Sequence, residues 1–303
     1  MVTNGAGSTV SVVVLSYDRP ALLREALDSI AAQSHTPFEI ILVDNHSPSS
    51  EEVARVAAGR ARVRLVQNPR NLGFAAGMNR GIAEAAGEYV YLTEDDIVLD
   101  RDCIRHLVEY GKGAPGFGLL SPVMYNKALG TIRFAGAEVT LGGVYRKKVH
   151  GEGETDRGQF REPFDVTNVD GAVIFARTKF LKRLGGFREE FFMYVEAVEL
   201  CARVSKAGGR MTLVPQAKVY HFEPPPGANT SAEFAFHRLK NFFSLYLLHA
   251  RARHLPEFFC RYALLGLPRA AGNGSLRPFL RALFWTARRA PSLLRERLSF
   301  NDE

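Results

Sequence analysis

Cysteine is scarce in this chain: Cys103, Cys201 and Cys260 are the only three in 303 residues, widely separated and without a C-x-x-C pair. An odd, scattered set excludes a disulfide framework and a zinc ribbon, and suits a reducing compartment. No run of 18 apolar residues occurs, and no basic segment followed by a long apolar stretch opens the chain. Neither a spanning helix nor a secretory leader is therefore expected, and a cytoplasmic location is. The first apolar run, Val10 to Ser16, leads into Tyr17-Asp18-Arg19-Pro20 and not into a Gly-x-Gly-x-x-Gly turn, which argues against a dinucleotide-dependent dehydrogenase. A glycine-rich N-terminal phosphate loop followed by Arg and Lys, expected of a nucleotidyltransferase, is also missing. Between Ala250 and Glu303 there is no lysine, but there are ten arginines against four acids. Without lysine, spaced strand aromatics or a helix-turn-helix or zinc pattern, that basic tail does not read as a nucleic-acid binder.

What is present is the composition of a globular protein, 46% hydrophobic and 23% charged, with enough chain for a large α/β domain and a helical appendage. Val10 to Ser16, Glu39 to Asp44, Val63 to Val66 and Glu88 to Thr93 read as strands, with helical patterns between them. In the first of these, Leu22, Leu23, Ala26, Leu27, Ile30 and Ala31 form one stripe behind Pro20. Continuous β-rich apolar runs of this kind belong to parallel strands covered on both faces. Further strands are expected at 119–125, 131–138, 143–148, 172–176 and 210–214, with helices at 178–184 and 196–207. After Pro224-Pro225-Pro226-Gly227 the chain reads as helical. The predicted fold is α/β: a Rossmann-like, mostly parallel sheet flanked by helices. It comprises residues 1–230, divided into halves at 8–112 and 113–230, with a basic, amphipathic helical region at 231–303.

In such sheets ligands bind at the carboxyl ends of the strands, and here those ends are acidic. Ser16-Tyr17-Asp18, Asp44-Asn45 and Glu94-Asp95-Asp96 all lie there. In the last of these, alternation turns Glu94 and Asp96 the same way, so the two could share a hard cation, Mg²⁺ or Mn²⁺, together with substrate phosphates. A solvated acidic turn is the other reading. For Asp44, a helix N-cap or Asx-turn competes with a ligand role, because Asn45, Ser47 and Pro48 are turn formers.

The blocks Val12 to Pro20, Ile41 to Ser47, Asn68-x-x-Asn71-Leu-Gly73 through Asn79-x-Gly81, Gly87-Glu-Tyr89 and Glu94 to Asp96 resemble, in order and spacing, those of family 2 glycosyltransferases. The resemblance continues through Gly171-Ala172, Gly185-Gly186-Phe187, Phe191 to Tyr194, Glu196 to Cys201 and His221, and is nearest the bacterial rhamnosyltransferase-like branch. It implies the GT-A fold, inversion at the anomeric carbon, and a nucleoside-diphosphate sugar donor such as dTDP-rhamnose or a UDP-sugar. The implied acceptor is a saccharide or a polyprenyl-linked sugar. Carried over by position, Ser16, Tyr17 and Arg19 line the nucleotide pocket and Asp44 meets the base, while Asn71 reads as a structural cap near the donor pocket. Glu94, Asp95 and Asp96 stand for the family's Asp-x-Asp. Asp96 is then a metal ligand, Glu94 acts at the metal through a bound water or at the ribose, and His221 completes the metal site or serves as a structural hydrogen-bonder. Asp170 is a candidate contact for donor sugar or acceptor, and Arg70 for the diphosphate.

The family's usual base is the Asp of a Glu-Asp pair opening a helix, but here the pair reads Glu196-Ala197. Inversion still needs a carboxylate that accepts the acceptor's proton, and Glu196 or Glu199, on one helix face, can supply it. Glu196 adjoins the gap and is preferred; a partner of the helix dipole is its alternative role. A catalytically impaired sugar-nucleotide binder or scaffold is the competing function. In the tail, Leu276, Phe279, Leu280, Leu283, Phe284, Ala287 and Ala290 recur at helical spacing, with Arg277, Arg281 and Arg288 to the other side. This pattern suits either an interfacial helix on an anionic membrane surface or a cap packed on the main domain.

Overall fold

The computed structural model describes residues 8–222, 231–272 and 274–299. The predicted alternation appears as β1 (Val10–Ser16), α1 (Pro20–Ala31), β2 (Glu39–Asp44), α2 (Ser50–Ala57), β3 (Val63–Gln67), α3 (Gly73–Glu84) and β4 (Tyr89–Glu94). Then follow β5 (Ile97–Leu99), α4 (Cys103–Gly113), β6 (Phe117–Asn126), β7 (Ile132–Phe134), β8 (Ala137–Leu141), β9 (Tyr145–Val149), β10 (Phe164–Val166), β11 (Val173–Arg177), α5 (Thr178–Arg183), α6 (Glu196–Lys206) and β12 (Arg210–His221). Helices α7 (Ala232–His249), α8 (Leu255–Phe259), α9 (Gly266–Gly272) and α10 (Leu276–Ser299) complete the described chain. The Pro224 to Gly227 turn lies outside the described residues.

The main sheet runs β10-β12-β6-β11-β4-β1-β2-β3. β3, β2, β1 and β4 are parallel, whereas β11 enters antiparallel between β4 and β6. Every residue of β1 is buried, as expected of a strand with helices on both faces. Two hydrophobic layers result, one holding Val12, Val14, Leu23 and Leu27, the other Val13, Leu15, Met78 and Ile82. The second requires a close approach: a Cβ on Gly81 would stand 2.2 Å from Val13 Cγ1, which explains the glycine in Asn79-x-Gly81.

Several expectations are corrected. The strand anticipated at 131–138 is two, β7 and β8, because the chain turns at Gly136 (φ 80°). The strand expected at 210–214 continues to His221, past a break in register between Val214 and Lys218. That break resumes pairing with β6 and lets the far end pair with β5, Val219 to Leu99 and His221 to Ile97. Three-residue strands such as β5 and β10 lack a readable period. The tail's largest helix is α10, continuous through Pro291.

Candidate active site

The β1, β4 and β12 ends meet the β11 loop and the start of α6 around a crevice of about 500 Å³. It is lined among others by Tyr17, Arg19, Asn45, Asn71, Glu94, Asp96, Arg133, Asp170, Glu196 and His221. At its floor the three acids converge on one cation. Arg19 pairs with Asp95 at 2.8 Å, reaches Glu94 at 3.9 Å and hydrogen-bonds Asp96. The Tyr17 N–H donates to Asp95 Oδ2 (3.0 Å), and His221 Nε2 lies 3.6 Å from Asp96 Oδ2. Burial raises Asp95 to about 7 despite Arg19. Burial, then the Asp96 charge, pushes Glu94 well above the usual carboxylate range. Such a cluster favours any further cation.

No three His, Cys, Asp or Glu side chains among the described residues converge closely enough to cage a metal ion unaided. The donor set suits a different arrangement. Asp96 Oδ1 is buried without a hydrogen-bond partner, and His221 stands beside it. One or two protein ligands completed by phosphate oxygens is how Mg²⁺ commonly binds.

The other predicted residues divide. Ser16 is buried at the β1 end and does not line the crevice. Asp44 is fully buried with both oxygens engaged locally: Oδ1 accepts from the Ser47 N–H (3.0 Å) and Oδ2 from the Ser50 hydroxyl (2.6 Å). It thus anchors the turn into α2, and the crevice is lined instead by its neighbour Asn45. Asn45 takes hydrogen bonds from Asn68 and the Leu72 N–H and donates to Asn71 and the Gly73 carbonyl. This cross-linking of the β2 and β3 ends was not evident from sequence. Arg70 lines a separate groove of about 730 Å³ with Arg80, Glu189 and Glu190. Arg133 and Phe74 reach the crevice unanticipated; Arg133 lies between buried Ile132 and Phe134, a strand alternation too short to read in sequence.

The two candidate bases part company. Glu196 opens α6 at the crevice wall with Oε2 shut off from solvent and without a partner. Burial, then the Asp170 charge, raises its carboxyl to about 7. Glu199, one turn on, is wholly buried and does not line the crevice. It binds Arg203 (2.8 Å) and His249 (3.1 Å), which hold it near 2 although burial alone would raise it. Its place in this ion network corrects the expectation that it could serve as a base.

Glu196 stands on strained backbone. Phe192, Tyr194 and Val195 have φ of 57°, 66° and 69°, unfavourable for bulky or β-branched residues. Asn241 of α7 holds this loop: its Nδ2 donates to the carbonyls of Phe191, Met193 and Tyr194 at 2.5, 2.8 and 2.8 Å. Gly73 (φ 78°) abuts Phe192, leaving no space for a Cβ. Asn241→Ala, which orphans buried carbonyls, is expected to cost about 2–3 kcal/mol in urea denaturation and to lower turnover with little change in donor KM.

A parallel nucleotide-binding-type half, an acidic floor at its carboxyl edge and an antiparallel extension carrying the second wall define a GT-A glycosyltransferase architecture. The chain belongs to glycosyl transferase family 2, whose family model matches residues 11–184. Among curated relatives, it is 32% identical over 231 residues to O-antigen biosynthesis protein RfbC of Myxococcus xanthus, covering 71% of this chain and 17% of that one. It is 26% identical over 257 residues to the N-acetylglucosaminyl-diphospho-decaprenol L-rhamnosyltransferase of Mycobacterium tuberculosis, covering 77% of this chain and 83% of that one. The chain spans a quarter or less of the first two curated relatives it matches. Its fold is similar to GalNAc-T7 with UDP, GalNAc and Mn²⁺ (TM-score 0.68, 16% identity, 85% of this chain and 51% of that one). It is also similar to the mannosyltransferase PcManGT of Pyrobaculum calidifontis with GDP-Man and Mn²⁺ (TM-score 0.55, 18% identity, 97% and 85%).

Proposed function

We propose that this chain transfers a sugar, with inversion, from a nucleoside-diphosphate donor to a hydroxyl of a saccharide or polyprenyl-linked acceptor, using Glu196 as general base. The observation that carries the reading is the placement of Glu196. Glu196 lines the same crevice as Arg19, Glu94 and Asp96, one of its carboxylate oxygens is buried without a partner, and its pKa lies near neutrality. At Ala197, where the family usually has its base, the Cβ stands against the crevice glycine Gly171, so the neighbouring Glu196 supplies the nearest helix-start carboxylate. The acceptor hydroxyl gives its proton to Glu196 as its oxygen bonds the anomeric carbon. The bond from that carbon to the diphosphate oxygen breaks on the opposite face.

Asp96 and His221 would hold a divalent cation, which supplies neutralisation of the leaving diphosphate. Arg19 and Tyr17 border the space for the diphosphate and nucleoside; Asp170 faces the sugar and acceptor. A rhamnosyl donor, dTDP-rhamnose-like, and a saccharide acceptor carried on a diphosphate lipid are favoured by the mycobacterial relative, whose name gives L-rhamnosyl transfer with N-acetylglucosaminyl-diphospho-decaprenol and of which the match covers 83%.

The test is hydrolysis and transfer of a panel of nucleoside-diphosphate sugars with Mn²⁺ or Mg²⁺. Metal-dependent turnover of one donor is expected. Asp96→Asn should weaken metal-dependent donor binding, measured by calorimetry, at least about tenfold while leaving the melting temperature nearly unchanged. Donor binding without turnover on any acceptor would favour the scaffold reading, and unchanged donor affinity in Asp96→Asn would remove Asp96 from the metal site.

A further inference from the structure

Helix α10 is apolar on two sides, and among the described residues only one of them is buried in the fold. Phe279, Ala282 and Leu293 are buried, with Phe279 and Ala282 in the cluster that includes Phe243 and Tyr246 of α7. The other side carries Leu280, Phe284, Ala287, Pro291 and Leu294, all exposed. Their spacing of four, three, four and three residues lines them up along one face. Phe284 is 63% exposed, Leu280 46% and Leu294 38%, and a further exposed pair, Leu264-Leu265, precedes Gly266, which lies against the Phe279 ring. No helix among the described residues is long and apolar enough to cross a membrane. The stripe is therefore a surface, not a span.

The charges beside it choose the occupant. Arg277, Arg288 and Arg295 flank the stripe. Among the described residues none of them meets a carboxylate, whereas Arg281 and Arg289 are tied to Glu233 and Glu190. The one acid on the described part of α10, Glu296, pairs with Arg188. A second copy of this helix would set arginine against arginine with no acid to answer it. An anionic lipid surface answers all three while taking the Phe284 and Leu280 side chains into the headgroup boundary.

We propose that the Leu280–Leu294 face of α10 docks this protein on an anionic phospholipid bilayer, independently of its donor chemistry. The full-length chain, mixed with vesicles of phosphatidylcholine alone or with phosphatidylglycerol, is followed by flotation and by sedimentation velocity. It should partition onto the anionic vesicles and little onto the neutral ones. Leu280→Ser with Phe284→Ser should lower that partition at least about tenfold. Arg277→Gln with Arg288→Gln and Arg295→Gln should lower it on the order of a hundredfold, at roughly fivefold per arginine.

All five side chains are exposed, so circular dichroism and the melting temperature should stay those of the wild type. The proposal is overturned by equal or absent partition onto the two vesicle types, or by partition that the serine pair leaves unchanged. It is equally overturned by a wild-type dimer that the serine pair makes monomeric, or by tighter retention on duplex DNA than on vesicles. Since no donor or metal enters the assay, failure here leaves the transferase reading intact.

Discussion

Glu196→Gln is expected to lower kcat by about 10²–10⁴-fold, with donor affinity nearly unchanged. The amide keeps the shape of the side chain and removes its capacity to accept a proton. Because Glu196 must be ionised to act, and burial raises its carboxyl to about 7, kcat/KM of the wild type should climb through pH 6 to 8 with a midpoint near 7. The residual activity of the glutamine variant should lack that step. A wild-type profile flat across this range would assign the proton to another group, and Asp170, which shares the crevice, would be the next to substitute.

The parallel half of the fold was legible because its strands are long, wholly buried and interrupted by helices with one clear stripe. β1, β2, β3, β4 and the intervening helices were all anticipated to within a residue or two at most strand ends. The second half was less so, since β5, β7 and β10 are three residues each, too short to show a period, and β5 and β10 owe their existence to β12, distant in sequence. The acidic floor and His221 fell together because alternation and strand ends point them one way. At Asp44, where the turn formers leave an Asx-turn open beside a ligand role, and at Glu199, that reasoning reaches its limit. Each stands in the right segment, but whether a carboxylate faces a crevice or a neighbour depends on Ser47 and Ser50 in one case, and on Arg203 and His249 in the other. The grip of Asn241 on the loop before Glu196 had no sequence signal, because it links residues 47 to 50 positions apart through carbonyls, which every residue has.

Glu199→Gln is expected to destabilise the fold by about 3–5 kcal/mol at neutral pH, the usual cost of breaking one side of a buried ion pair. Glu199 is 0% exposed and bridges two elements: Arg203 on its own helix and His249 at the end of α7, with Arg188 at 3.6 Å. Arg203 would keep the Leu184 and Gly186 carbonyls and lose its counter-charge. A carboxyl held near 2 in the fold, against an ordinary 4.5, contributes stability that is fully present above about pH 4.5 and is lost as pH falls toward 2. The wild type should therefore lose stability steeply across that acid window, and the glutamine variant much less so, as urea denaturation at a series of pH values will read.

Glu196 carries the opposite sign. Its raised carboxyl means that folding favours the protonated form, so its ionisation takes stability away as pH rises from about 4.5 to 7. Glu196→Gln should accordingly be no less stable than the wild type at pH 8. Two glutamates one helical turn apart would then separate cleanly, one variant losing turnover and keeping the fold, the other losing the fold's stability first. Equal stability of Glu199→Gln and wild type at pH 7 would show that the buried network contributes no net energy to holding α7 against α6.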